Sequence, residues 1–231
     1  MKRFPQLCAV FAVLISAATS PGQSFVNLDF EEAALFIPPT PVGTAGSNVD
    51  PLLAFPGWSV RFKNQYHDFY YVLYNNVTLS SPSVNLIGPS FPNRLGLTPL
   101  QGSYSAYLHD GIQNAGLGIP TLSQTGTVPA VARSLTFLGV FNDSRVAVNG
   151  TTLPLFSLPS GRWAVDMTAF AGQSVELSFE TLPRPDGQFR NFFLDDIQFS
   201  TSPAVPEPST VALASMTIAA FLLIAKRRST K

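Results

Sequence analysis

Ser174-Val175-Glu176-Leu177-Ser178-Phe179-Glu180 is the stretch that decides the fold. Val175, Leu177 and Phe179 fall on one face of an extended chain; Ser174, Glu176, Ser178 and Glu180 fall on the other. That period of two marks a half-buried antiparallel strand. Outward from it, short β-rich runs recur at 25–30, 58–62, 69–74, 84–87, 104–108, 135–141 and 192–199. Pro, Gly, Asn and Ser separate them, and helical periodicity is nearly absent. Asn149-Gly150 sits between Val146-Ala147-Val148 and Thr151-Thr152-Leu153, the strongest short hairpin signal in the chain. Immediately before the deciding strand, residues 166–173 are expected to form one helical turn, with Asp166 as its cap and Gly172 ending it. Residues 37–57, rich in Pro and Gly, are expected to be a long loop. The expected fold is all-β: an antiparallel β-sandwich of jelly-roll form over residues 24–200, large enough for one real core.

Both ends of the chain differ from this domain. Lys2 and Arg3 precede an apolar stretch at 7–18, and Ala17, Ala18 and Ser20 follow as small residues. This is the order of a secretory signal peptide, expected over residues 1–23 with the mature chain starting near Ser24. Cys8, the single cysteine of the chain, is then removed, which excludes disulfides, thiol catalysis and cysteine-based zinc sites from the exported protein. At the other end, Pro206-Glu207-Pro208 is followed by an apolar run over 209–225 and by Lys226, Arg227 and Arg228. The run has the length of a single transmembrane helix at the short end of the range, and the basic cluster would keep residues 226–231 in the cytoplasm. Residues 201–205 are expected to be a brief linker.

Removing the ends changes the charge balance. Six of the 14 basic residues are terminal, against one of the 14 acids, so residues 24–205 keep eight basic and thirteen acidic residues, a net −5. With Lys63 as its one lysine, such a domain is a poor partner for nucleic acid or for anionic surfaces.

The order Pro206-Glu207-Pro208, apolar helix, Lys226-Arg227-Arg228 resembles the PEP-CTERM sorting signal of Gram-negative bacteria. The resemblance implies recognition by an exosortase-type transpeptidase after passage through the secretion machinery and insertion in the inner membrane. It also implies a destination at the cell surface or in the extracellular matrix of a bacterium that makes exopolysaccharide. The sandwich in turn resembles galactose-binding-like jelly rolls, including carbohydrate-binding modules. Three features carry that likeness: Asn27-Leu28-Asp29-Phe30-Glu31 as an opening strand, the turn at 166–173, and Leu194-Asp195-Asp196-Ile197-Gln198-Phe199 as a closing strand. It implies a structural calcium ion, the one cofactor expected, held by the carboxylates of Glu31 and Asp195 and the carbonyl of Asp29; hard oxygen donors suit that ion. Alternation places Asp195, rather than Asp196, on the face of Ile197 and Phe199.

Trp58, Tyr66, Tyr70 and Tyr71 are the candidate ligand-binding residues, because sugar rings stack on exposed aromatic planes; rings at this density also serve as core. No catalytic residue is expected. His67 and His109 belong to no metal-binding spacing, no GxSxG elbow occurs, and the neighbours Asp195 and Asp196 point to opposite faces of a strand. The functional expectation is a non-enzymatic, exported surface or matrix protein that binds polysaccharide. A sorted glycan hydrolase and a purely structural matrix component stay open as alternatives.

Overall fold

The computed structural model describes residues 23–35, 48–63, 72–78, 81–89, 96–111, 118–182 and 190–204. Within them the chain forms a short helix, α1 (Pro51–Ala54), and then twelve strands. These are β1 (Ser59–Lys63), β2 (Val72–Tyr74), β3 (Ser83–Ile87), β4 (Ser105–His109), β5 (Ile119–Thr127), β6 (Ser134–Asn142), β7 (Ser144–Val148), β8 (Thr151–Leu153), β9 (Phe156–Ser157), β10 (Arg162–Asp166), β11 (Ser174–Thr181) and β12 (Asn191–Ser200). One sheet runs β1-β5-β11-β7-β8 and the other β2-β3-β4-β12-β6-β10-β9. The fold is therefore an all-β sandwich. Its pairings are antiparallel except at one edge, where β2 lies parallel to β3, a departure from the purely antiparallel expectation.

The deciding strand is β11, a middle strand of the five-stranded sheet, and it delivers what its alternation promises. Val175, Leu177 and Phe179 are buried. The Phe179 ring lies 5.5 Å from Phe137, 5.6 Å from Phe192 and 6.1 Å from Trp58, so one side chain ties both sheets together. Burial of a side chain this size is worth about 2–3 kcal/mol. Between β7 and β8, Asn149 and Gly150 both adopt positive φ, 49° and 78°, as a two-residue hairpin turn whose twist matches its strands requires. The helical turn appears as a 3₁₀ turn, Thr168–Phe170. Asp166 Oδ1 accepts from the Thr168 N–H at 2.8 Å, and Gly172 follows at φ +75°.

Three expectations are corrected. Residues 27–31 are a run of turns rather than an opening strand: Asn27 and Phe30 take φ +48° and +60°, which breaks extended geometry. Only Ser24 bridges to a strand, at Thr127. The alternation along β12 is also interrupted. Asp195 pairs with Leu138 but Gln198 with Thr136, so β12 holds one extra residue there, and Asp196 sits at φ +46°. This bulge flips the parity: Phe192 and Leu194 before it and Ile197 after it all enter the core, while Asp195 points to the outer face. Arg162 holds the bulge, donating at 2.5 Å to Asp196 Oδ2 and at 2.9 Å to the Asp196 carbonyl. The third correction falls within the expected loop at 37–57. It contains α1, whose N-terminus is capped by Asp50 accepting from the Leu52 N–H at 2.9 Å and whose Ala54 is buried.

The two ends of the sandwich differ in what leaves them. At one end, Thr127 N donates to the Gln23 carbonyl at 2.8 Å. Ser134, paired with Ser200 at the last rung of β6 and β12, donates to the Ser202 carbonyl at 2.8 Å. Thr201 and Ser202 are exposed, but Ala204 is 3 % exposed, so the chain returns to the domain there. The chain thus enters and leaves the described domain at this terminal end. At the far end lie His109, Asn191 and Asn142, which share one rung. Among the described residues no helix is long and apolar enough to cross a membrane. The stretches 1–22 and 205–231, with the expected signal peptide and sorting signal, lie outside the described residues.

Candidate functional site

The sequence-predicted carboxylates Glu31 and Asp195 meet at a loop near the terminal end. The turns at 28–32 bring Glu31 to residues 102–104, and the bulge aims Asp195 outward beside β4. Glu31 Oε1 accepts from the N–H groups of Ser103 and Tyr104 at 2.7 and 2.9 Å. Asp195 Oδ2 accepts from the Gln101 N–H at 3.0 Å and the Ser105 hydroxyl at 2.6 Å, and its Oδ1 from the Asp196 N–H at 2.7 Å. Two side chains far apart in sequence thereby clamp the segment 101–105. Gly102, at φ +58°, leaves room for the approach: a Cβ there would push the Glu31 carboxylate off its two N–H donors.

Asp195 is fully buried. Desolvation pushes its carboxyl up to about 6; the three hydrogen bonds oppose the rise and the charge of Glu31 adds to it. Asp29, the third expected calcium donor, has an exposed side chain whose Oδ1 accepts from the Glu31 N–H at 3.4 Å. Among the described residues no group of three or more His, Cys, Asp or Glu side chains converges on a metal-sized site. The chemistry of the pair nevertheless fits a hard cation: a buried carboxyl destabilised in its charged form stands beside a second carboxylate, and a cation would relieve both.

Trp58 is not a ligand platform. It is 3 % exposed, its Nε1 donates to the Asn27 carbonyl at 2.9 Å, and its ring packs 5.7 Å from Phe30. A large ring beside the Phe179 cluster is worth more inside than displayed, and its one polar atom is satisfied there. Tyr66, Tyr70, Tyr71 and His67 lie outside the described residues, as do Pro206, Glu207, Pro208, Lys226, Arg227 and Arg228.

Sequence reasoning missed a second polar cluster, at the far end. Asp110 is buried and accepts from the Arg190 N–H at 2.5 Å. Burial raises its carboxyl to about 7. The Arg190 guanidinium, also buried, reaches Asp143 Oδ2 at 2.9 Å. His109 is buried with Nδ1 accepting from the Gly111 N–H at 3.0 Å, and desolvation lowers its pKa to about 4. The neighbouring Tyr107 ring lies 6.1 Å away, nearly parallel, and burial lifts its hydroxyl to about 12. His109-Asp110-Gly111 looks in sequence like a polar turn; the one hint of burial is the apolar run just before it.

No protein-family model matches the chain, and no curated protein matches it. Among solved structures, the K2 cleaved adhesin domain of Lys-gingipain is similar over 78 % of this chain and 98 % of that one, at 14 % identity and a TM-score of 0.39. A likeness of that size transfers no residue role.

Proposed function

We propose that this chain is an exported, non-enzymatic protein of the bacterial envelope, carried to the surface or matrix by the sorting signal at 206–231. In this reading its domain is a carbohydrate-binding-like jelly roll that binds polysaccharide. One observation carries the reading: Pro206-Glu207-Pro208, the apolar run 209–225 and Lys226-Arg227-Arg228 follow in that order, directly behind a domain whose packed residues reach Ala204. A domain whose two termini sit at one end suits such a route, since the same end faces the membrane while either terminal segment is still attached.

The test is fractionation of a bacterial host that lacks an exosortase-type transpeptidase, where the tail stays attached. There the full chain should stay in the membrane pellet through carbonate extraction, and a chain truncated after Val205 should be soluble and exported. A full chain that carbonate releases would sink the proposal. Affinity for the producer's exopolysaccharide, measured on the truncated domain, tests the binding half; no retention on that polymer would remove it.

The buried Asp195 carboxyl beside Glu31 supports a structural calcium ion in the same domain, with the Asp29 carbonyl as the third donor that the family resemblance implies. A ligand present at 100 times its dissociation constant adds about 2.7 kcal/mol to stability. Calcium should therefore raise the melting temperature by several degrees and EDTA should reverse the gain. An identical melt in both buffers would exclude the ion.

A further inference from the structure

The terminal end of the sandwich carries two loops with apolar tips. In the β5–β6 connection, Pro129, Ala130 and Val131 are exposed, and Val131 is 70 % exposed. In the β10–β11 connection, Ala169 is exposed and Phe170 and Ala171 are half-buried. The loops are fastened side by side. Val128 N donates to the Gln173 carbonyl at 2.9 Å and Gly172 N to the Val128 carbonyl at 3.0 Å, and a Cβ at Gly172 would touch the Ala130 methyl at 3.9 Å. Each loop is also closed on itself, by Ala132 N to the Pro129 carbonyl and Gln173 N to the Phe170 carbonyl, both at 2.9 Å. The tips are therefore fixed small apolar projections with few free polar groups. The charged residues at their base, Arg133 and Asp166, attract each other.

The length of chain beyond Ala204 decides what meets this end. Four residues, 205–208, separate Ala204 from the apolar run at 209–225. Fully extended, the five Cα–Cα steps from Ala204 to Ser209 span at most about 18 Å, and the headgroup layer on that side takes about 5–8 Å of it. The remainder, about 10 Å, holds the terminal end at the lipid surface rather than a domain's length from it. From this juxtaposition we infer that, while the tail spans the membrane, the terminal end of the sandwich rests on the bilayer, with Val131 and the Ala169–Ala171 tip seated among the lipid headgroups. Small apolar tips carrying little charge suit the interfacial zone, where apolar area leaves water without the backbone entering hydrocarbon. The inference rests on the membrane-spanning reading of 209–225 given above.

A matched pair of valines separates the two claims. Val140, on β6 and 64 % exposed, lies on a sheet face away from this end. The exported form, Ser24 to Lys231, which lacks Cys8, carries a nitrobenzoxadiazole label at Val131→Cys or at Val140→Cys, in phosphatidylethanolamine–phosphatidylglycerol vesicles. The expected result is flotation with the vesicles, with the label at 131 blue-shifted and several-fold less quenched by iodide than the label at 140. Equal quenching at both sites in chains that float overturns the inference and leaves the spanning reading intact. Chains that fail to float overturn the spanning reading and the inference together. Shielding at 131 in native membranes but not in pure lipid also overturns it, because the occupant would then be a protein.

Discussion

Asp195 and Asp110 are both buried carboxyls raised well above the ordinary range, yet they belong to opposite ends of the seven-stranded sheet and are held differently. Asp195 accepts three hydrogen bonds and faces a second carboxylate, Glu31. Asp110 accepts one short bond from the Arg190 backbone, while the guanidinium of that arginine turns to Asp143. The first is a clamp that closes a loop and would gain from a cation. The second continues the strand pairing past the last rung of β4 and β12, where Asp110 N also donates to the Arg190 carbonyl at 3.1 Å. The same burial therefore does different work: at the terminal end it fixes a loop, and at the far end it extends a ladder.

The largest effects should come from breaking the clamp. Gly102→Ala places a methyl group on the Glu31 carboxylate and strains a positive φ, and should cost about 3 kcal/mol in urea denaturation. Gly96→Ala, also at positive φ but with nothing within 4 Å, should cost only about 1 kcal/mol. Equal losses would show that Glu31 does not set the loop. Next comes the contrast between the carboxyls. Asp195→Asn sets an amide donor against N–H and O–H donors and should cost about 2 kcal/mol. Near pH 4, where the wild-type carboxyl is neutral in the fold, Asp110→Asn can keep the acceptor bond from the Arg190 N–H and should change stability by less than about 1 kcal/mol.

A sharper contrast is the response to acid. The folded-state values for Asp195 and Asp110 lie near 6 and 7, above their unfolded value of 3.8. Each therefore contributes stability at low pH that is lost as pH rises from about 4 through its folded value. His109 acts in the opposite sense: held neutral down to about 4 against 6.5 unfolded, it contributes stability above 6.5 that is lost as pH falls towards 4. Melting curves between pH 4 and 7 should therefore show Asp110→Asn losing part of the gain on acidification and His109→Gln increasing it; the reverse signs would contradict the assignments. Smallest of all, Arg61→Ala removes an exposed ion pair to Glu176 at 2.8 Å and should shift stability by no more than about 0.5 kcal/mol.

Much of the sandwich was legible because its strands alternate, β11 most plainly. What stayed hidden had physical reasons. β5 lies between β1 and β11, but Ile-Pro-Thr-Leu-Ser-Gln-Thr-Gly-Thr has a loop-like composition. Its core face needs only Leu122, a Gln124 side chain that pairs with both backbone groups of Val26, and a Gly126 that leaves room for the Phe25 ring. Turn formation at 27–31 was unreadable because Asn27 is stabilised from afar: its side chain bonds the Pro56 carbonyl and the Glu32 N–H at 3.0 and 3.1 Å. The bulge in β12 defeats simple parity: alternation puts Asp195 on the face of Ile197 and Phe199, and the extra residue puts it on the opposite face. The meeting of Glu31 with Asp195 was expected from family likeness; spacing alone could not give it. The far-end cluster of Asp110, Arg190 and Asp143 depends on three separate segments, and the apolar run before His109 is its one local signal.

The most direct test of the account is the intact mass of the mature protein purified from its native producer. Export and sorting predict a species that starts near Ser24 and ends within Pro206, Glu207 or Pro208, alone or with an attached group. A mass that retains the chain through Lys231 would contradict sorting and make residues 209–225 a permanent anchor.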